Sequence, residues 1–337
     1  MIDEINQMSD CEFLKTFYKK ILRRDLDEAS RDHYLNEISA KNISRERFLL
    51  QLILCEEFEL KMSSQEFVHP GHFYSAVPSV QERNNFCNSE KSYKDQLDGI
   101  NLNKKYQNDL LYKFIDYHNQ CLFPHEKNDK FRYYFNNDKY TYSDGLTLYS
   151  MIRNFNPKKI IEIGSGFSSC VILDTNDHYF NSNIDVKLIE PYPESLFKLI
   201  KSTDHKNLFA EEKLQNIDIN IFSSLEKNDI LFIDSTHVSK LNSDVNKIVF
   251  EILPILQSGV IIHFHDIFWP FEYPKNWIQE GRAWNEAYIL HAFLKYNEKY
   301  EIIFFSDYIH KFHQNFLQDN LPLYLNGPGG NLWIRKS

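Results

Sequence analysis

The sequence of 337 residues is poor in glycine and cysteine, and it has neither a long apolar run nor an excess of basic residues. Its five cysteines are scattered and form no CxxC pair, so neither a zinc site nor a disulfide framework is indicated. No stretch approaches the ~18 uninterrupted apolar residues of a membrane span. The formal net charge of −9 argues against a general nucleic-acid binder, which needs a basic face.

The beginning of the chain gives no sign of secretion. Met1 is followed by Ile-Asp-Glu rather than by the basic segment and apolar core of a signal peptide. Together with the scattered cysteines, this predicts a cytoplasmic protein in a reducing compartment. The length exceeds what one hydrophobic core usually serves, so we expect a large domain and a smaller one.

Because the chain has only ten glycines, two of them in one short loop are informative. Residues 158–169 read as an apolar run with three β-branched isoleucines, then Gly164 and Gly166, then a second apolar run. This pattern predicts a buried parallel strand, a tight turn and the start of a helix. The unpaired N–H groups at that helix start predict a bound ligand above the glycines.

The first 62 residues predict a small helical module. Ser9 and Glu12 have the spacing of a capping box, and apolar residues follow at helical period. Two further helical patterns follow, the last one after Ser44. We expect three short helices without a catalytic role, used for docking to a protein partner or for self-association.

Residues 63–139 are expected to form a linker and a lead-in segment to an α/β domain at 140–337. Aromatic residues are dense between Phe131 and Tyr140. They either cover a bound cofactor or pack the following helix on the sheet. Asp144 reaches the site if that helix caps it.

The α/β domain is predicted from apolar runs that alternate with helical patterns. Predicted strands after the first one are 184–190, 217–222, 229–234, 260–266, 300–305 and 331–335, with the last two joined without a helix. Glu190 ends the second strand, 24 positions after Gly166. In a doubly wound sheet this carboxylate lies beside the glycine loop, where its oxygens suit a ribose diol.

This order resembles a class I S-adenosylmethionine (SAM)-dependent methyltransferase. Glu162-Ile-Gly-Ser-Gly166 is similar to the E-x-G-x-G loop of that family. The resemblance implies an α/β, Rossmann-like sheet of seven strands whose last pair is antiparallel, with SAM as the cofactor. A dinucleotide fingerprint has a third glycine where this chain has Ser169, which disfavours NAD. The implied cofactor-binding residues are Glu162, Gly164, Ser165, Gly166, Glu190 and Asp234.

A closer resemblance is to a bacterial subgroup, the methyltransferase 24 group. It rests on residues 160–169, on Phe232-Ile-Asp234 with His237, and on His263-Phe-His-Asp-Ile-Phe-Trp-Pro270. The first sixty residues resemble a small helical domain of unknown function that occurs in bacterial surface-associated and glycan-related proteins.

Methyl transfer needs a group that takes the proton of the acceptor hydroxyl. His237, His265 and Asp266 stand at the ends of predicted strands, and either histidine is a candidate base. The pattern is similar to sugar O-methyltransferases in which acidic residues at these places bind magnesium. This resemblance gives Asp234 and Asp266 as candidate Mg²⁺ ligands, although His265 replaces a carboxylate. His263 is expected to be a hydrogen-bonded core residue.

The segment 268–277 is strongly aromatic. Trp269 and Tyr273 are predicted to wall an acceptor pocket, with packing over the N-terminal module as the alternative. Arg282 and Glu286 are candidates for holding acceptor hydroxyls.

The sequence therefore predicts a SAM-dependent O-methyltransferase acting on a hydroxyl of a sugar, a glycan or a related bacterial metabolite. One alternative is a non-catalytic interaction protein of a glycan-assembly complex. A further alternative is an NAD-dependent oxidoreductase or epimerase of nucleotide sugars.

Overall fold

The computed structural model describes residues 8–22, 24–58, 67–89 and 93–337. The chain divides into two compact units, residues 1–82 and residues 83–337. Of the expected helical module, residues 1–7, 23 and 59–62 lie outside the described residues, as do 63–66 and 90–92 of the expected lead-in.

The first unit contains the three helices that the sequence predicts. They are α1 (Asp10–Phe17, extended by wider turns over Tyr18–Leu22), α2 (Glu28–Ser39) and α3 (Arg45–Ile53). The capping box between Ser9 and Glu12 is present at the start of α1. The buried residues of this unit form their own core, which comprises Phe13, Leu14, Tyr18, Leu22, Phe48 and Leu52.

The second unit is an α/β domain. Its longer helices are α4 (Val80–Asn88, which begins before the division), α5 (Lys104–Asn119), α6 (Tyr142–Phe155), α7 (Phe167–Phe180), α13 (Glu286–Leu294), α14 (Ser306–Phe312) and α15 (Gln314–Asn320). Shorter ones are α8 (Glu194–Phe197), α9 (Asn220–Ser223), α10 (Asp244–Lys247), α11 (Leu253–Ile255) and α12 (Lys275–Glu280). Wider turns over Ile248–Ile252 join α10 to α11.

Seven strands form one sheet in the order β3-β2-β1-β4-β5-β7-β6. They are β1 (Lys159–Ile163), β2 (Asp185–Ile189), β3 (Leu208–Ala210), β4 (Ile230–Ile233), β5 (Ile261–His265), β6 (Tyr300–Phe305) and β7 (Asn331–Lys336). The first five strands are parallel, while β7 runs antiparallel to both β5 and β6. The predicted fold class, with an antiparallel last pair, is confirmed.

The central strands are buried on both faces, which explains their nearly continuous apolar sequences. All residues of β4 and β5 are buried, and so are four of the five residues of β1. The parallel register sets Ile163 of β1 beside Ile189 of β2 and Ile233 of β4. The residues that follow these three strands therefore meet at one edge, the carboxyl edge of the sheet.

Two predictions about the sheet were wrong. The third strand is Leu208–Ala210, whereas the predicted strand 217–222 forms helical turns that include α9. The alternating isoleucines of 217–221 imitate a strand, but their backbone closes local turns instead. In addition, β6 and β7 are not joined directly, because α14 and α15 lie between them.

Within the described parts of the chain, no helix is both long enough and apolar enough to cross a membrane.

Candidate functional site

The loop after β1 is held tightly against the end of β4. Gly164 has a φ of +78°, and a Cβ atom at this position would lie 1.8 Å from the carbonyl oxygen of Asp234. Its N–H donates to the carbonyl of Ile189 at 3.0 Å. Only glycine fits here, because both the backbone angle and the close approach exclude a side chain.

Gly166 differs from Gly164, because a Cβ atom there would meet no atom within 4 Å. The space above it is open, so a ligand can approach this backbone closely. The Gly166 N–H donates to Ser169 Oγ at 3.1 Å, and Ser169 Oγ donates to the buried carboxyl group of Glu162. Ser169 thus fastens the loop to β1 from the position where a dinucleotide fingerprint has glycine.

Glu162 lies inside β1 and is fully buried. Burial raises its pKa to about 8, so the side chain is mostly neutral at pH 7. Its Oε1 atom has no hydrogen-bond partner among the described residues. Glu162 therefore lies beneath the loop, and its Oε1 atom can still form a hydrogen bond.

Glu190 joins the loop to the end of β2. Its carboxylate accepts from the backbone N–H groups of Ser165 at 3.0 Å and Tyr192 at 2.8 Å. Cavities lie on both sides of the loop. One of about 530 Å³ is lined by Glu190, Gly164 and Asp234, and one of about 410 Å³ by Gly166, Asp234 and His265, among others.

Three side chains meet where β4 and β5 end. One ligand atom from each of Asp234, His237 and Asp266 lies within 4.8 Å of the others. His237 Nε2 is 3.4 Å from Asp234 Oδ1 and 3.6 Å from Asp266 Oδ2. Two carboxylates and one imidazole nitrogen converging in this way make a donor set that suits a divalent cation.

The loop that carries His237 is held by polar contacts that the sequence analysis did not anticipate. His237 has a φ of +60°, and its carbonyl accepts from the N–H groups of Asn285 and Glu286. Asp244 accepts from both the backbone and the hydroxyl of Thr236, at 3.0 and 2.6 Å. Sequence spacing carries no signal for such contacts between distant turns.

Glu286 was predicted to hold an acceptor hydroxyl, but its side chain is buried and contacts His237 instead. His237 Nδ1 and Glu286 Oε2 are 2.9 Å apart, and Glu286 is 1% exposed. A carboxylate on one imidazole nitrogen fixes the ring orientation and aims the other nitrogen at Asp234 and Asp266.

The charges of this cluster are strongly coupled. Burial acts to lower the pKa of His237, but its contacts with Asp234 and Glu286 outweigh this and raise the pKa to about 10. Burial raises the pKa of Asp266 and of Glu286. Although burial also acts upward on Asp234, the neighbouring His265 and His237 bring its pKa below the usual value.

Asp266 also contacts the second candidate histidine. His265 Nε2 lies 3.5 Å from Asp266 Oδ1, while His265 Nδ1 has no hydrogen-bond partner in the described part of the chain. The Tyr140 ring packs 5.1 Å from the His265 ring, and the buried Tyr140 hydroxyl is likewise without a described partner. Tyr140 thus brings the aromatic lead-in segment to the site.

His263 is buried between Phe232 and Trp333, with ring centroids 4.0 and 4.6 Å away. The sequence predicted a hydrogen-bonded core histidine. The core position is confirmed, but neither ring nitrogen has a partner among the described residues, so the expected hydrogen bond is absent there. Burial lowers its pKa well below the usual value, which keeps the ring neutral.

Asp144, at the start of α6, does lie at the site. Its carboxylate accepts from Gly330 N at 3.0 Å and Asn331 Nδ2 at 2.5 Å. A Cβ atom on Gly330 would lie 3.2 Å from the Cα atom of Asp266. Asp144 therefore fixes the beginning of β7 directly beside Asp266.

The aromatic segment after β5 is largely interior. Trp269 is 1% exposed and its indole N–H donates to the carbonyl of Lys94, while Tyr273 is 4% exposed and its hydroxyl accepts from Ala287 N. Both residues line a cavity of about 820 Å³. Trp284 lies nearer the cluster, with its ring 4.5 Å from that of His237.

The sheet order, the single antiparallel strand beside β5 and the glycine loop at the carboxyl end of β1 define the class I methyltransferase fold.

Comparisons with known proteins agree with this class. Residues 161–267 match the model of a methyltransferase domain family, and residues 3–62 match a domain of unknown function (DUF4214). An uncharacterised protein of Archaeoglobus fulgidus is 33% identical over 166 residues, which are 47% of this chain and 74% of the archaeal protein. The chain belongs to this methyltransferase family.

A solved structure was also matched, that of the SAH-bound Podospora anserina methyltransferase PaMTH1. It is 14% identical, with a TM-score of 0.35, over 81% of this chain and 100% of the fungal chain.

Proposed function

We propose that this protein is a SAM-dependent O-methyltransferase that acts on a hydroxyl group of a sugar, a glycan or a related bacterial metabolite. The observation that carries the proposal is the juxtaposition, at one sheet edge, of the open glycine loop with the Asp234, His237 and Asp266 cluster. A donor site beside a proton-accepting site is what methyl transfer to a hydroxyl requires.

The residues of the loop fit the donor. Glu190 offers carboxylate oxygens to a ribose diol, and the open space above Gly166 admits a close backbone approach. Buried acceptor and donor atoms without described partners surround the loop, namely Glu162 Oε1, Tyr140 Oη, Ser165 Oγ and Ser235 Oγ. Bound SAM supplies the electrophilic methyl group.

The cluster also fits a divalent cation. Asp234, Asp266 and His237 Nε2 would hold it, and Glu286 would keep His237 Nδ1 protonated. The imidazole donor favours a transition metal such as Mn²⁺ over Mg²⁺, which prefers oxygen ligands. A cation held there would polarise the acceptor hydroxyl and lower its pKa.

We assign the proton acceptor to His265. Both nitrogens of His237 face carboxylates, whereas His265 Nδ1 is free of described partners and His265 lines the cavity beside Gly166. Asp266 faces His265 Nε2 and stabilises the ring once it is protonated. Tyr140 packs on the His265 ring, and Asp144 fixes the start of β7 beside Asp266.

Binding of S-adenosylhomocysteine (SAH), measured by isothermal titration calorimetry, tests the donor site, with NADH as the control ligand. No binding of SAH at millimolar concentration would sink the proposal. Incubation with labelled SAM and a bacterial extract of glycans and nucleotide sugars, with and without EDTA, then tests the acceptor class and the cation.

We propose as well that the protein works in the bacterial cytoplasm, where SAM and nucleotide sugars are made, and that its helical unit binds a protein partner or a second copy. Fractionation of the source cells tests the first point, and light scattering of the purified protein tests self-association.

A further inference from the structure

One arginine of helix α4 has no counter-ion among the described residues. Arg83, in helix α4, has no ion pair or hydrogen bond with any described residue, and its Nε atom is buried. A guanidinium stays charged at any physiological pH and carries five N–H donors. Burying one of these donors without an acceptor is costly, so the position indicates a missing anionic partner.

The guanidinium of Arg83 is held in a defined place. A Cβ atom on Gly281 would lie 2.3 Å from Arg83 Nη1, so Arg83 packs directly on the backbone of this glycine. Helix α4 is fastened to the same segment, because Cys87 Sγ contacts the carbonyl of Lys275 at 3.4 Å and Lys275 Nζ donates to the carbonyl of Ser89 at 3.0 Å.

A second arginine follows immediately. The Arg282 guanidinium stacks 4.3 Å from the Trp277 ring and 5.0 Å from the Trp284 ring, and it pairs with Glu280 at 2.8 Å. Trp284 in turn packs against His237. This stack connects Arg282 to the cluster through a single aromatic ring.

Two guanidinium groups therefore flank Gly281. Among the described residues, Glu280 pairs with Arg282, and no carboxylate pairs with Arg83. The excess charge at this place is positive, although the whole chain carries −9. Arginine forks bind phosphate and carboxylate groups through paired N–H donors. An anion between them would satisfy the free donors of Arg83 and reduce the repulsion between the two cations.

We infer that Arg83 and Arg282 form an anion-binding site and that the methyl acceptor is an anionic sugar, whose phosphate or carboxylate group binds there. This inference rests on the proposed function for the identity of the ligand as an acceptor. The hydroxyl of such a sugar then lies towards His237, because Trp284, on which Arg282 stacks, packs against His237.

The test uses the full-length protein and isothermal titration calorimetry with three probes, which are glucose 1-phosphate, glucuronate and glucose. We expect at least one of the anionic sugars to bind clearly more tightly than glucose, with an affinity that falls as NaCl is raised. Tighter binding of glucose 1-phosphate assigns a phosphate group, and tighter binding of glucuronate assigns a carboxylate.

Arg83→Gln and Arg282→Gln should each weaken the binding of the anionic sugar about tenfold or more. Arg153→Gln is the matched control, because Arg153 also stacks on an aromatic ring, 4.4 Å from Tyr179, but lies at the end of α6 away from the cluster. An unchanged circular dichroism spectrum shows that each variant is folded, whether or not SAH binds. Equal binding of glucose, or wild-type affinity in both site variants, overturns the inference.

The two proposals fail separately. Arginine-dependent binding of an anionic sugar without any SAH binding would support the anion site and contradict the methyltransferase proposal. SAH binding without arginine-dependent binding of either anionic sugar would support the methyltransferase proposal and contradict the anion site.

Discussion

Single residues decide which ligand the glycine loop accepts. Ser169 connects Gly166 to Glu162, so the loop is closed by a side chain where a dinucleotide-binding loop has a third glycine. The Ser169 hydroxyl accepts from the Gly166 N–H, so this N–H at the helix start is not free to bind a pyrophosphate. This contact gives a structural reason for the sequence-based preference for SAM over NAD.

Replacing Glu190 by alanine should weaken SAH binding by about tenfold to a hundredfold, because the variant loses a ribose acceptor and the bond to Ser165 N. Calorimetry measures the affinity. Glu211→Ala, an exposed acid in the next loop, is the control and should bind like the wild type. Equal affinities for the Glu190 variant and the wild type would remove Glu190 from the donor site.

The coupled cluster at His237 should make stability depend on pH. Its folded-state pKa of about 10 lies above the ordinary value of 6.5, so the stabilisation from the bound proton is complete below pH 6.5 and is lost as the pH rises towards 10. In EDTA, we expect the free energy of unfolding to fall over this range by on the order of 5 kcal/mol.

Urea unfolding at several pH values measures this slope, and His237→Gln should flatten it. A wild-type curve as flat as that of the variant would mean that His237 is neutral in the folded protein. His178→Gln is the control, because this exposed histidine lies at the end of α7, away from the cluster.

At the scale of the elements, the lead-in segment is attached by a buried ion network. The Arg132 guanidinium is 4% exposed and contacts Asp174 at 2.7 Å, Asp177 at 2.8 Å and Asp204 at 2.7 Å. Asp174 also accepts from the backbone N–H groups of Arg132 and Tyr133. This network ties the segment that carries Tyr140 to helix α7 and thus to the loop.

Arg132→Met should destabilise the protein by about 3–5 kcal/mol, because it leaves buried carboxylates without their cation. Thermal unfolding provides the measurement. Arg31→Met, which breaks the exposed pair with Asp32, should change stability by less than about 1 kcal/mol. Similar small losses in both variants would show that the network contributes little.

The elements with continuous apolar runs could be predicted from the sequence, and the short polar ones could not. The predicted strands that correspond to β1, β2, β4 and β5 are confirmed, because burial on both faces makes each of them uniformly apolar. The edge strand β3 has three residues, which are too few to show a period. The third strand was predicted instead at the alternating isoleucines of 217–221. Helices α14 and α15 were missed because histidines and polar residues interrupt their apolar spacing.

The residues of the candidate site also divide into those that the sequence could predict and those that it could not. Asp234, His237, His265 and Asp266 lie together as predicted, because parallel strands end at a common edge and residues far apart in sequence meet there. Their catalytic and metal-binding roles stay predictions. Glu286 and Asp144 were harder to place, since their roles depend on how helices α13 and α6 begin beside that edge. No pattern in the sequence indicates that the Arg83 side chain packs on the backbone of Gly281.

For the whole molecule, the two units have separate hydrophobic cores. The buried core of the helical unit lies between Phe13 and Leu52, and that of the α/β domain begins at Leu102. All residues proposed for the donor site and the cluster lie between Tyr140 and Glu286. The helical unit therefore supplies none of the described groups that carry the chemistry.

Removing residues 1–66 should leave SAH affinity within about twofold of the full-length value, because every donor-site contact stays in the α/β domain and each unit buries its own core. Calorimetry of the shortened protein gives the affinity, and circular dichroism shows whether the α/β domain is folded. A folded fragment that no longer binds SAH would mean that the helical unit takes part in the donor site. Retained binding would show that the helical unit takes no part in holding the donor, in agreement with its proposed role in partner docking.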